Sequence, residues 1–159
     1  MAERIKRRAM TASEALDVCG QIADALEAAH EKGIVHRDLN PGNVRVSAQG
    51  RVKLLDFGLA KAFADQRPPG ASREPRTISD SGIIVGTARY MSPEQAAGKR
   101  VDQRTDIWSF GCVLFECLAG KPPFSGTSAP AILAAIVTGE PEWHRLPATL
   151  PPQLRALLG

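Results

Sequence analysis

The stretch His36-Arg37-Asp38-Leu39-Asn40-Pro41-Gly42-Asn43 decides the fold, and a second short motif, Asp56-Phe57-Gly58, follows it. Each motif places an aspartate among turn-forming residues, and the first adds an asparagine later in the same loop. Because Asp38 and Asn43 share this loop, one rigid turn can present both side chains together. The glycine after Asp56 allows the backbone to turn sharply at that point. The two motifs therefore predict a site at which polar side chains from two loops meet.

The residues between these motifs predict a small β-hairpin. Val44 and Val46 alternate with Arg45 and a serine, which is the pattern of a half-buried strand. The turn Ala48-Gln49-Gly50 separates this strand from a second one over residues 52–55, which leads directly into the second motif. Such a hairpin would place both aspartates on one rim, as a metal site that bridges them requires.

Apolar residues at helical spacing predict that most of the remaining chain is α-helical. Thr11-Ala12-Ser13-Glu14 has the pattern of a capping box, and it opens a buried helix over about residues 11–32 that Gly33 ends. Thr105 and Asp106 open the most apolar helix, which we expect to be central. We expect the central helix to end at Gly120. The other predicted helical segments are residues 2–9, residues 129–138 and a helix that begins at Pro151.

Composition excludes several classes of protein. The 159 residues predict one domain, and 43% hydrophobic with 23% charged residues is ordinary for a globular protein. The net charge of +3 is too small to indicate nucleic-acid binding. The three cysteines lack the spacing of a zinc or redox motif, and no apolar run approaches the ~18 residues of a membrane span. We therefore expect a cytoplasmic protein with no membrane segment in this chain.

The two motifs resemble the catalytic loop and the metal-binding loop of eukaryotic-type protein kinases. Downstream, Ser92-Pro93-Glu94 resembles the Ala-Pro-Glu signature, Gly86-Thr87 with Tyr90-Met91 resembles the acceptor-binding loop, and residues 106–111 resemble the start of the central helix. These segments occur in the order of the family. The chain is thus similar to a bacterial serine/threonine protein kinase of eukaryotic type. The implied fold is mainly α with a small β-hairpin, as a partial kinase domain over 1–159 that contains the C-terminal lobe and lacks the N-terminal lobe.

The resemblance also implies the chemistry. The family transfers the terminal phosphoryl group of ATP to a hydroxyl, which needs an oriented acceptor, Mg²⁺ on the phosphates and neutralisation of developing charge. The carried-over catalytic residues are Asp38, which would orient the acceptor hydroxyl, and Asn40, which stands where relatives carry a lysine. Asn43 and Asp56 would hold Mg²⁺ and ATP through oxygen atoms. Arg45 would lie beside the nucleotide, where relatives usually present an apolar floor to adenine.

Regulatory and structural roles are carried over in the same way. Arg37 precedes the catalytic aspartate and could pair with a phosphate on the loop that follows the second motif. Asp106 would accept hydrogen bonds from the catalytic-loop backbone, and Thr87 would form a hydrogen bond near Asp38. The candidate phosphosites are Thr77, Ser79, Ser81 and Thr87, of which Thr87 stays unmodified in many relatives. The remaining structural residue is Glu94 of the Ser-Pro-Glu segment.

Several features depart from the family pattern. Asn40 can donate a hydrogen bond but brings no charge, which predicts slower phosphoryl transfer. No Gly-rich loop, Val-Ala-Ile-Lys lysine or glutamate partner precedes Asp38, so the chain alone is expected to be inactive or nearly so. Relatives pair the glutamate that matches Glu94 with an arginine in a later helix, and Arg155 comes too soon for that role. Glu94 is thus expected to be unpaired or to have a substitute partner.

Three functions remain open on these grounds. The first is a serine/threonine kinase fragment whose parent phosphorylates protein substrates. The second is a pseudokinase-like binding or scaffolding module, and the third is a protein whose other lobe comes from a separate chain. A longer parent could be anchored to a membrane through a segment elsewhere. Truncation further predicts an exposed apolar patch around the helix of residues 11–32 and the hairpin.

Overall fold

The computed structural model describes residues 1–57 and 85–158. Gly58 and the predicted phosphosites Thr77, Ser79 and Ser81 lie outside the described residues. The described part is mostly helical with a two-stranded antiparallel sheet, which confirms the predicted fold class. Its elements are α1 (Ala2–Arg7), α2 (Ala12–His30), β1 (Val44–Val46), β2 (Val52–Leu54), α3 (Val85–Ala88), α4 (Pro93–Ala96), α5 (Arg104–Ala119), α6 (Ala129–Thr138) and α7 (Pro152–Leu158), with short 3₁₀ turns at Pro41–Asn43 and Trp143–Arg145.

Helix α2 begins at the predicted capping box. The Thr11 hydroxyl accepts from the Glu14 backbone N–H, and the Glu14 carboxylate accepts from the Thr11 N–H. Glu14 also binds the guanidinium groups of Arg8 and Arg4, and these bonds, with the backbone bond, hold the pKa of its carboxyl well below the usual range. Past the other end, Gly33 adopts a φ of 71°, a conformation that suits glycine.

The hairpin is present where the alternation predicted it. Strands β1 and β2 pair so that Val44 faces Leu54 and Arg45 faces Lys53. The apolar pair is buried against the core, whereas both cations are exposed. Gln21 of α2 fastens the hairpin, because its amide donates to the Gly50 carbonyl and accepts from the Val52 N–H, each at 3.0 Å. A single side chain therefore fixes the hairpin on the helix that precedes the catalytic-loop motif.

Helix α5 packs on α2 and lies at the centre of the main core. Its apolar side chains from Cys112 to Leu118 are buried, and at its start Thr105, Asp106 and Ser109 are buried as well. Gly120 ends it in the left-handed conformation, with a φ of 72°. The helix is not enclosed on all sides, since Ile107 is 62% exposed. The buried polar residues at the start of this central helix thus face the segments that carry the motifs.

Two of the cysteines meet between α2 and α5. Cys19 and Cys117 are both buried, and their thiols form a hydrogen bond that raises the pKa of Cys117. Both are free thiols. The spacing of the cysteines in the sequence did not show that two of them are neighbours.

A second, smaller core joins α6 to the segment that carries the Ser-Pro-Glu motif. Ile132, Leu133 and Ile136 of α6 pack with Ala88 and Phe124. Trp108 of α5 stacks on Phe124, with ring centroids 5.7 Å apart. This cluster packs the residues just before the downstream motif against α6.

The predicted apolar patch is seen only in part. Leu16 and Ile34 are exposed in and just after α2, at 48% and 44%, but the valines of the hairpin are buried or half-buried. Met1, Ile5 and Met10 join the core cluster that contains Val44 and Leu54.

Within the described residues, no helix is both long and apolar enough to cross a bilayer.

Candidate active site

The carboxylate of Asp106 anchors the catalytic-loop motif. It has no exposed surface and accepts from the backbone N–H groups of His36 and Arg37, at 2.8 and 2.7 Å. A third hydrogen bond joins the same carboxylate to His30 Nε2 at 2.8 Å. A buried carboxylate is expensive unless its lone pairs are satisfied, and here backbone and imidazole groups satisfy them. Asp106 therefore ties the loop to the start of α5.

Two of the motif residues have a strained backbone. Among the described residues, Arg37 and Asp56 are the non-glycine positions with positive φ, at 64° and 53°. Such conformations cost about 1–3 kcal/mol each and persist only where surrounding contacts impose them. One of these strained residues lies in each candidate loop. Strained backbone of this kind clusters at functional sites.

His36 links these two loops. It is fully buried; its Nε2 lies 3.1 Å from the Leu55 carbonyl, and its Nδ1 accepts from the Asp38 N–H at 3.3 Å. These partners assign the proton to Nε2, since a carbonyl can only accept and the Asp38 N–H can only donate. Its ring also packs on Phe57, with centroids 4.6 Å apart. The imidazole thus forms hydrogen bonds both to Asp38 and to Leu55, the residue before Asp56.

Asn43 joins Asp38 directly. Its side-chain amide Nδ2 donates to the Asp38 carboxylate Oδ2 at 3.1 Å and to the Asp38 carbonyl at 2.9 Å. The Asn43 carbonyl accepts from the Leu55 N–H at 2.8 Å, so its main chain is tied to the residue before Asp56. The structure therefore joins Asn43 to Asp38 through its side chain and to the residue before Asp56 through its main chain.

These side chains fit a hard divalent cation. Nδ2 of Asn43 donates to Asp38, so the amide oxygen of Asn43 is the side-chain atom that remains available to bind a cation. The side chain of Asp56 is a carboxylate, which is a second possible ligand. Mg²⁺ is usually held by one or two such protein groups together with substrate phosphates. In the described part of the chain, no group of three His, Cys, Asp or Glu side chains could hold a metal.

Asn40 has a local role that sequence reasoning missed. Its side-chain oxygen accepts from the Gly42 N–H at 2.9 Å and caps the 3₁₀ turn Pro41–Asn43. Its Nδ2 donates to the Asp38 carbonyl at 2.9 Å. The amide is thus used to shape the loop around Asp38, and a residue with the lysine side chain could not make the same capping bond.

The other predicted residues lie around this centre. Arg45 is exposed on the face of β1 opposite to the core, beside Lys53. Thr87 lies in α3, and its hydrogen bond near Asp38 stays a prediction. The roles of Arg45 beside the nucleotide and of Arg37 beside a phosphate also stay predictions.

Glu94 makes a small contribution to the electrostatic surroundings of Arg104. The pKa of Arg104 is raised mainly by its hydrogen bond and charge interaction with Asp102, and to a smaller extent by the charge of Glu94. Arg104 opens α5, so it comes from the central helix and not from a later one. A partner for Glu94 therefore stays a prediction.

A half-buried pair supports the segment before Ser-Pro-Glu. The Tyr90 hydroxyl donates to the Glu116 carboxylate, and the Tyr90 carbonyl accepts from Ser109 Oγ at 2.7 Å. Burial raises the pKa of Glu116, although the Tyr90 bond and the charge of Arg89 act in the opposite direction. Sequence reasoning missed Glu116 because it sits inside an apolar helix with no motif around it.

The geometry agrees with comparisons to known proteins. The model of the protein kinase domain matches residues 1–154, so the chain belongs to the protein kinase family. Members of this family generally use ATP with a divalent metal and act on protein substrates.

Individual relatives point to one branch of that family. The chain is 41% identical over 132 residues to the serine/threonine-protein kinase PknB of Mycobacterium tuberculosis. The aligned region covers 83% of this chain and 20% of that protein. The chain is 50% identical over 111 residues to a probable serine/threonine-protein kinase PknB of Bifidobacterium longum, covering 70% and 15%. The PknB of Mycolicibacterium smegmatis is 39% identical over 145 residues, covering 91% and 22%. The chain thus spans about a fifth of the length of these relatives.

We predict that Asp106→Asn destabilises the fold by about 2–4 kcal/mol. An amide offers one oxygen, and its NH₂ group would face a backbone N–H that has lost its acceptor. Urea unfolding should show a lower midpoint with an unchanged slope. Asp102→Asn is the matched control, because Asp102 is exposed near the same helix end, and an equal loss in both variants would contradict the anchoring role.

We predict that Glu116→Gln becomes stabilising relative to the wild type as pH rises. The raised carboxyl pKa means that the folded state favours the protonated form, so this contribution to stability is present below the unfolded pKa of 4.5 and lost as pH rises through the folded value. Gln keeps an acceptor for the Tyr90 hydroxyl but does not titrate. Melting temperatures between pH 4 and 8 test this, and a difference that does not change with pH would contradict it.

Proposed function

We propose that this chain is the C-terminal lobe of a serine/threonine protein kinase whose parent transfers the γ-phosphoryl group of ATP to Ser and Thr hydroxyls of proteins. The observation that carries the proposal is the hydrogen bond from Asn43 Nδ2 to the Asp38 carboxylate. It holds the candidate base and one candidate metal ligand in a fixed relation, and the Asn43 main chain adds the link to the Asp56 loop.

In this proposal the residues of the chain have separate tasks. Asp38 orients the acceptor hydroxyl and takes its proton, while His36 and Asn43 hold the Asp38 backbone and carboxylate in place. Asn43 and Asp56 would hold Mg²⁺, which when bound with ATP would neutralise charge on the phosphates. Catalysis of phosphoryl transfer depends mainly on such positioning, so rigid contacts around Asp38 matter more than covalent chemistry.

The N-terminal lobe is a further part of the proposal. It would supply the Gly-rich loop and the lysine that contact the phosphates, either from the same polypeptide or from a separate chain. Arg37 would pair with a phosphorylated residue of the loop that contains Thr77, Ser79 and Ser81. The relatives named above are serine/threonine kinases that extend well beyond the matched region, which supports a longer catalytic parent.

We predict that Asp38→Asn lowers the turnover number of the natural full-length protein by about 10²–10⁴-fold, because a positioned general base contributes that much. Transfer of ³²P from ATP to Ser- and Thr-containing peptides measures it, with ATP·Mg²⁺ affinity measured in parallel. Asp24→Asn, an exposed aspartate of α2, is the matched control. If the wild-type protein neither binds ATP·Mg²⁺ nor phosphorylates any peptide, a scaffolding role replaces this proposal.

We predict opposite effects of Asn40→Lys on rate and stability. A charge-assisted hydrogen bond to the transferred phosphoryl group should raise the turnover number about tenfold. Loss of the bond to the Gly42 N–H should lower the free energy of unfolding by about 1 kcal/mol. Asn40→Ala separates the two, since it loses the cap without gaining a charge. No rate gain in the lysine variant would contradict the role given to this position.

A further inference from the structure

The segment that would bind the acceptor is fastened to the start of α5. The Ser92 hydroxyl and the Thr105 hydroxyl share a hydrogen bond of 2.7 Å, and both residues are fully buried. Ser109, one turn further along α5, donates to the Tyr90 carbonyl at 2.7 Å. Since Thr105 precedes Asp106, the turn of helix that anchors the catalytic loop also anchors the Ser-Pro-Glu segment.

Gln95 forms a second connection between these two segments. Its side-chain oxygen accepts from the Ser92 N–H at 3.1 Å, while the Ser92 hydroxyl accepts from the Gln95 N–H at 3.3 Å. These two bonds are the capping box of α4. The Nε2 of the same side chain donates to the Arg37 carbonyl at 2.8 Å, across 58 positions of sequence. The amide therefore has one atom in the helix cap and the other on the catalytic loop.

The bond to Arg37 acts on the peptide group that leads into Asp38. The oxygen of that peptide is held by Gln95, and its N–H is held by His36 Nδ1. The preceding peptide is held by Asp106, through the Arg37 N–H. Arg37 has a φ of 64°, so the peptides on both sides of it need restraint. Gln95 supplies the restraint that comes from the acceptor-binding side.

We propose that Gln95 is a positioning residue of phosphoryl transfer, which transmits the placement of the acceptor-binding segment over residues 86–94 to Asp38 through the Arg37 carbonyl. This inference rests on the proposed function. The cap alone does not account for the residue, because a glutamate at the third helical position closes a capping box equally well. Only an amide can both accept from Ser92 and donate to Arg37.

The variant Gln95→Glu isolates the bond to Arg37. It keeps the acceptor for the Ser92 N–H, but it turns a donor into a second acceptor that faces the Arg37 carbonyl. Gln95→Met is the comparison variant that loses both bonds. We expect hydrogen exchange at the Arg37 and Asp38 amides to become about tenfold faster in Gln95→Glu, while the amides of α4 keep their wild-type rates.

Peptide phosphorylation kinetics supply the second readout, measured on the natural full-length protein. We expect kcat of Gln95→Glu to fall about tenfold, with KM for ATP unchanged. Binding of a Ser-containing peptide should slow exchange at the Arg37 amide in the wild type and leave it unaffected in the variant. A purely structural role would instead reduce protection throughout the protein and leave kcat of the folded fraction intact.

The outcomes separate this inference from the proposed function. Unchanged exchange at Arg37 and Asp38 in Gln95→Glu, or faster exchange with an unchanged kcat, would overturn the positioning role and leave the kinase proposal standing. A wild-type protein that phosphorylates no peptide would overturn the proposed function and this inference together. Faster exchange confined to the catalytic loop, together with the fall in kcat, supports the proposal.

Discussion

The buried carboxylate of Asp106 is the constraint on which the rest of the site depends. It occupies the start of the central helix and binds two successive backbone N–H groups of the catalytic-loop motif, at His36 and Arg37. Placing an acid there is unfavourable unless all its acceptor sites are used, so the loop has one arrangement that satisfies it. From this fixed point, His36 and Asn43 extend the order to Asp38 and to the base of the hairpin.

The arrangement of the candidate site includes features that lower the stability of the fold. Arg37 and Asp56 are left-handed, Asp106 is buried, and burial raises the pKa of Glu116 beneath Tyr90. Each of these features opposes folding on its own. They persist because the capped helix α2, the hairpin and the apolar flank of α5 form a continuous core around them. A scaffold of this kind suits phosphoryl transfer, in which the protein mainly positions groups that react.

Several elements could be predicted because their signals are local. The capping box at Thr11, the alternation in β1 and the glycine at 33 each depend on residues that are neighbours in sequence. The motif residues Asp38, Asn43 and Asp56 could be proposed as one site because a short hairpin joins them. By contrast, Gln95, Glu116 and the pair of Cys19 with Cys117 depend on contacts between segments far apart in the chain. Their residue types alone carry no sign of those partners.

Local pattern was therefore sufficient for the identity of the two loops, the hairpin between them and the family to which the chain belongs. The folded arrangement was needed to see what each polar side chain does there. Asn40 illustrates the difference: its type marks a departure from the family, but only its contacts with Gly42 and the Asp38 carbonyl show that it shapes the loop. The physical reason is that a hydrogen bond requires both partners within about 3 Å, and for distant segments, such as those of Gln95 and Arg37, only tertiary packing brings them that close.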